Sequence, residues 1–199
     1  TINGGKSWKR VKHVSEYTGC NEVHLDPNNP EIVYATFHQR ERRQWTYMGG
    51  GPESGLFKSE DGGKTWKAIN SGLPGCDKGR IAMCFAAQSS EKLYCMVETE
   101  GKTGGLFVSI DKGESWSKTN GKYTSGNYYQ ELISDPIDED RIFIMDTYMH
   151  WSKDGGKTVS RVPSKDKHVD NHAIWINPNN TKHWRIGCDG GLYETYDNG

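Results

Sequence analysis

SEDGGKTW (59–66) and SIDKGESW (109–116) share one spacing, Ser-x-Asp-x-Gly-x-Ser/Thr-Trp. SKDGGKTV (152–159) repeats it with Val159 in the last place, and TINGGKSW (1–8) repeats it with Asn3 for the acid. TYDNG (195–199) supplies Thr195, Asp197 and Gly199 in the same order. From acid to acid the steps are roughly 58, 50, 43 and 43 residues, the range of propeller-blade repeats.

Two further elements keep the same time. HLDPNNPEIVYA (24–35), ISDPIDEDRIFI (133–144) and INPNNTKHWRIG (176–187) follow the octapeptides, and FAAQSSEKLYCM (85–96) fills that slot without a proline. Gly-Leu-aromatic precedes them at Gly55-Leu56-Phe57, Gly105-Leu106-Phe107 and Gly191-Leu192-Tyr193. Within one unit, RIAMCFAA (80–87), LYCMVETE (93–100), GLFVSI (105–110) and SWSKTN (115–120) read as four short strands bounded by turn residues. A four-stranded unit cannot cover both its faces alone, so neighbours must stack. Four-stranded sheets set around an axis make a β-propeller. The expected fold is therefore all-β, a partial propeller of about four blades. Its units span 1–14, 21–70, 80–120, 130–162 and 172–199, with WKRVKHV (8–14) the outer strand of a preceding blade and NEVHLDP (21–27) an innermost strand.

The octapeptide explains itself as scaffold. At a tight hairpin tip, backbone N–H groups have no ladder partner, and an aspartate can accept from them as in an Asx-turn. Glycine supplies positive φ, hydroxyls satisfy further backbone groups, and the tryptophan packs on neighbouring strands. Ser59, Asp61, Gly63, Trp66, Ser109, Asp111, Gly113, Trp116, Ser152, Asp154, Gly156 and Asp197 are assigned to this role.

Composition agrees. The 199 residues include 24 glycines, 7 tryptophans and 10 tyrosines but only 33% apolar residues, which suits a turn-rich β protein. A net charge of −1 with interspersed signs argues against a nucleic-acid partner. No apolar run is long enough to span a bilayer. None of the five cysteines forms a Cys-x-x-Cys pair, so a zinc ribbon is not expected. A hairpin turn at 88–91 would set Cys84 opposite Cys95, either as a cross-strand disulfide or as two buried thiols. Thr1 and the interrupted motif at Gly199 suggest a piece of a longer protein, the rest of the propeller lying in the same or an associated chain.

These octapeptides resemble the Asp-box, the bacterial neuraminidase repeat of sialidases, xyloglucan-hydrolysing glycosidases and sortilin-type receptor ectodomains. QRERRQWTYMGGGPESGLFKSEDGGKTW (39–66), GLPGCDKGRIAM (72–83), HVDNHAIWINPNN (168–180) and GCDGGLYETYDNG (187–199) are most similar to exported bacterial proteins of sortilin-like or glycosyl-hydrolase-like type. The resemblance implies a secreted, periplasmic or cell-surface protein. It also implies that Cys20, Cys84 and Cys95 replace small residues and are buried thiols. The family sets its motif between third and fourth strands, which would put any ligand site on the opposite face.

Several residues fall on that face. Loop 38–54 carries Arg40, Arg42, Arg43, Trp45 and Tyr47, which suit carboxylate or carbohydrate recognition or serve only to stiffen the loop. Arg80, Tyr128, Tyr129 and Gln130 stand at strand entries. His168, Asp170 and His172 alternate, so a strand would point all three one way, as divalent-metal ligands or as a hydrogen-bonded rim; no other cofactor is expected. Glu22, Glu131, Asp170 and Asp189 are the carboxylates a glycosidase could draw on. Two functions follow: a module binding a protein, peptide or glycan on its axial face, or a glycoside hydrolase of xyloglucanase or sialidase type.

Overall fold

A computed structural model describes residues 1–199. The fold is all-β, without helix. Four antiparallel sheets follow one another along the chain. The first joins β1 (Thr18–Leu25), β2 (Val33–Gln39), β5 (Gly55–Ser59) and β6 (Lys67–Ala68), with a separate hairpin of β3 (Glu41–Arg42) and β4 (Tyr47–Met48) inserted. The second holds β7 (Lys78–Phe85), β8 (Leu93–Thr99), β9 (Gly105–Ser109) and β10 (Ser117–Asn120). The third holds β11 (Glu131–Ser134), β12 (Ile142–Met145), β13 (His150–Ser152) and β14 (Ser160–Arg161). The fourth has three strands, β15 (Asn171–Ile176), β16 (Trp184–Cys188) and β17 (Gly191–Thr195). Residues 8–14, expected as an outer strand, form no strand.

Alternation along the strands decides how the sheets stack, because successive side chains point to opposite faces. Ile81 and Met83 pack with Tyr34, Leu56 and Ile69 of the first sheet. Their neighbours Ala82 and Cys84 pack with Leu132, Ile142 and Ile144 of the third. Phe143 and Met145 then face Ile176, Trp184 and Ile186 of the fourth. Three apolar cores therefore lie between consecutive sheets. Tyrosines tie the sheets together, Tyr34 Oη donating to Lys112 O at 2.8 Å and Tyr94 Oη to Glu139 O at 2.9 Å.

The octapeptides link the third and fourth strands of three sheets. In the first, Asp61 Oδ1 accepts from the Lys64 and Thr65 amides at 2.9 and 2.8 Å and from Ser59 Oγ at 2.8 Å. Thr65 Oγ1 donates to Oδ2 at 2.6 Å, and the Gly63 amide donates to Ser59 Oγ at 2.8 Å. Asp111 and Asp154 repeat this through Ser115 and Thr158, with Gly113 and Gly156 donating to Ser109 and Ser152. Hydrogen bonds that favour the charged form, led by the Thr65, Ser115 and Thr158 partners, hold all three carboxyls down at about 2. Asn3 does the same work uncharged, its Oδ1 accepting from the Ser7 amide at 3.0 Å. Asp197 accepts from Thr195 Oγ1 at 2.9 Å.

The aromatic at the eighth place varies more than the turn. Trp116 is buried among the first two sheets and donates to Ile69 O at 2.8 Å. Trp66 is half-buried, and Trp8 is 79% exposed.

The cysteines correct two expectations. Cys84 pairs with Tyr94, and Cys95 with Met83, so the two thiols point to opposite faces and lie in different cores. Both are free and buried, whereas Cys20 is exposed. A one-residue shift in register reverses every side chain, and the loop supplies it. Ala87 takes φ +50°, and Ala86 N pairs with Lys92 O, leaving five residues in the turn instead of four.

Candidate functional site at the inner-strand entries

The opposite ends of the sheets are irregular where the octapeptide ends are regular. The first strand of each sheet is disturbed as it begins. β1 is bulged between Cys20 and Glu22, β7 between Lys78 and Ile81, and β15 between Asn171 and Ala173. β11 is preceded by Gln130 at φ +93°, and β15 by Asp170 at φ +62°. Bulges re-aim side chains and gather near functional sites. Positive φ in a non-glycine residue is costly and needs surroundings that enforce it.

These irregular residues form one connected group. Glu22 Oε2 accepts from the Met83 amide at 3.0 Å and lies 3.1 Å from His24 Nε2. Asn21 Nδ2 donates to Ile81 O at 3.2 Å. Arg80 donates through Nη1 to Tyr129 O at 3.2 Å. Gln130 is wholly buried and donates its side-chain amide to Arg80 O and, at 3.0 Å, to Met96 O. Tyr129 Oη donates to Asp170, and its ring stacks on His172 with centroids 5.6 Å apart. His172 Nε2 lies 2.8 Å from Asp189 Oδ1.

Glu131 stands within this group, half-buried at the start of β11. Burial pushes its carboxyl above the ordinary range, and Glu22 adds to the rise; Arg80 and His172 oppose it. A carboxyl perturbed by burial and by specific charged neighbours marks a candidate functional position. The hydrogen bond to Asp170 pushes the Tyr129 phenol up.

The remaining expected residues separate. Tyr128 is exposed beside Tyr129, centroids 6.4 Å apart. His168 Nδ1 turns to Val169 O at 2.8 Å, while Asp170 faces Tyr129 and His172 faces Asp189. The alternation expected through 168–172 is broken by the positive φ of Asp170, so these three do not converge. No group of three or more His, Cys, Asp and Glu side chains is placed to hold a metal ion.

The arginine loop builds the β3–β4 hairpin. Arg40 lies 5.6 Å above the Tyr47 ring, and Arg43 pairs with Glu41 at 2.6 Å, so both stiffen it. Arg42 and Trp45 stay exposed, Trp45 at 81%. The hairpin is rooted beside the group, the Gly51 amide donating to Lys78 O at 3.0 Å.

Sequence reading passed over Asn21, Asn127 and Glu98. Glu98 Oε2 lies 3.4 Å from the Arg80 amide, and an acid closing the apolar run LYCMVET was the available signal. Asn127, Gln130 and Arg80 each bury one polar atom without a partner.

No family model matches the chain. An oligoxyloglucan-reducing end-specific xyloglucanase from Emericella nidulans is 36% identical over 73 residues, which is 35% of this chain and 8% of that protein. Among solved structures, a GH74 enzyme of Niastella koreensis superposes with a TM-score of 0.61 at 18% identity, over 88% of this chain and 28% of its own. YCF48 bound to D1 peptide superposes at 0.56 with 12% identity, over 87% of this chain and 48% of its own. The likeness is one of fold. This chain spans under a tenth of the curated relative and about a quarter of the GH74 structure. No helix is long and apolar enough to cross a membrane.

Proposed function

We propose that this chain is an arc of a β-propeller with Asp-box hairpins on its rim, and that the inner-strand entries form the site of a glycoside hydrolase of xyloglucanase type. Glu131 carries the reading. It is a carboxyl biased toward its protonated form, among groups drawn from the first strands of four successive sheets. In this reading Glu131 gives its proton to the leaving glycosidic oxygen. A second carboxylate, Asp170 or Asp189, serves as base or nucleophile across the bond. The 73-residue match to a xyloglucanase supports the substrate class. An exported location goes with it, since polymeric glycans are met outside the cell. Further sheets of the same ring would cover the apolar side chains exposed at both ends, Val23 and Leu25 on β1 and Trp175 and Leu192 on the fourth sheet.

The test is turnover of xyloglucan oligosaccharides and a broad glycan panel by the full-length protein, beside Glu131→Gln, Asp170→Asn and Asp189→Asn. Hydrolysis lost in Glu131→Gln and in one aspartate variant is the expected result. Absence of hydrolysis across the panel would defeat the reading.

The second reading is a module that binds a protein, peptide or glycan on the same face. The exposed Arg42 and Trp45 on a hairpin beside the site favour it. Ligand binding that survives Glu131→Gln but falls with Trp45→Ala would favour it over the hydrolase.

A further inference from the structure

Gln130 has three properties that rarely meet in one residue. It is wholly buried, its backbone is held at φ +93°, and its side-chain amide reaches two carbonyls on different strands of another sheet, Arg80 O on β7 and Met96 O on β8. A glutamine does not adopt this backbone unless its surroundings over-determine it. Here the over-determination is visible, since the two donated hydrogen bonds fix the start of β11 against the second sheet. The next residue is Glu131. A backbone turned at 130 sets where the 131 side chain emerges, because a strand residue's direction follows from its predecessor's torsions.

We propose that Gln130 is a positioning residue that holds the Glu131 carboxyl in its half-buried place. This rests on the hydrolase reading only for its purpose; the placement stands without it. The charged groups whose fields act on Glu131 are Glu22 from β1, Arg80 from β7 and His172 from β15, with His172 in turn held by Asp189. Arg80 is locked by the same device, its carbonyl taken by Gln130 and its guanidinium by Tyr129 O. Removing the Gln130 amide therefore frees the start of β11 from the second sheet, while the Arg80 guanidinium keeps its bond to Tyr129 O. Burial is the leading cause of the raised Glu131 carboxyl, so a freed side chain that reaches water titrates lower.

The experiment follows the Glu131 carboxyl by carbon NMR through an acid titration, with Glu131→Gln assigning the resonance. Gln130→Gly keeps the backbone angle accessible and deletes the amide. Its expected result is a downward shift of the Glu131 midpoint toward the ordinary glutamate value of about 4.3. Gln130→Asn keeps an amide on a shorter arm and should fall between the glycine variant and the parent. If the glycine variant does not melt cooperatively, the asparagine variant decides by the same criterion. An unchanged Glu131 midpoint in a folded variant overturns the proposal. If the protein hydrolyses glycan, the limb of its pH–kcat/KM profile assigned to Glu131 moves in the same direction. If it does not, the hydrolase reading fails while the titration still decides the positioning role.

Discussion

The two ends of these sheets handle carboxylates in opposite ways. At the octapeptide end, Asp61, Asp111 and Asp154 each collect hydroxyl and amide donors and are held down at about 2. At the entry end, Glu131 is short of donors and is pushed up by burial. The first arrangement occurs three times with nearly the same distances, and the second occurs once. A carboxyl saturated with donors is poor at exchanging a proton, whereas an under-solvated one is poised to do so. The difference separates scaffold from candidate chemistry more clearly than the identity of the acid does.

Four changes would break or sharpen that contrast. Trp116→Ala should do most damage to the octapeptide end. It empties a buried site between the first two sheets, at a cost of about 3–5 kcal/mol; the same change at half-buried Trp66 should cost much less, read by denaturant unfolding. Equal losses at both would mean that the indole acts locally instead of between sheets.

Under the hydrolase reading Glu131→Gln should reduce turnover about 10²–10⁴-fold, the range for a lost acid catalyst, and in any case leave neutral-pH stability equal or higher. A raised carboxyl stabilises the fold fully below its unfolded value, and that contribution is lost as pH rises through the folded one. Glutamine removes the loss. Lower stability at pH 7 would place Glu131 among the scaffold acids.

Asp111→Asn tests the opposite sign. A carboxyl lowered to about 2 contributes stability above its unfolded value of about 3.9, and this is lost as pH falls through about 2. Asn3 shows that an amide can accept the same backbone donor. The variant should therefore melt nearly as the parent does at pH 7, and lose less between about pH 4 and pH 2. An equal acid loss in both would remove this turn from the causes of acid unfolding.

The smallest effect is expected from Lys112→Gly. Lys112 holds φ +59° where the sister turns use Gly62 and Gly155 at +69° and +70°. Relief of left-handed strain should exceed the loss of the exposed Glu91 pair and stabilise by up to about 1 kcal/mol, a rise of about 2–4 °C in Tm.

Legibility in the sequence followed the range of the interactions. The octapeptides could be read because every hydrogen bond that the Asp61 carboxylate accepts comes from within four residues. The strands of the second sheet could be read because their apolar runs are bounded by turn residues. Register could not, since the turn between Cys84 and Cys95 depends on Ala87 taking a torsion alanine disfavours. Arg80, Tyr129, Gln130 and Glu131 were named singly, but nothing local says that Gln130 reaches back to β7 and β8. The supposed trio of His168, Asp170 and His172 failed for a related reason: alternation holds only inside a strand, and β15 begins at Asn171.

The cores lie between consecutive sheets, so that the second and third sheets each lean on the one before and the one after. Such a stack behaves as a row of coupled units. Under a pulling force or a protease it should come apart sheet by sheet, giving discrete products. Cleavage in the loop before β15 should loosen the fourth sheet while the Trp116 contact between the first two sheets persists.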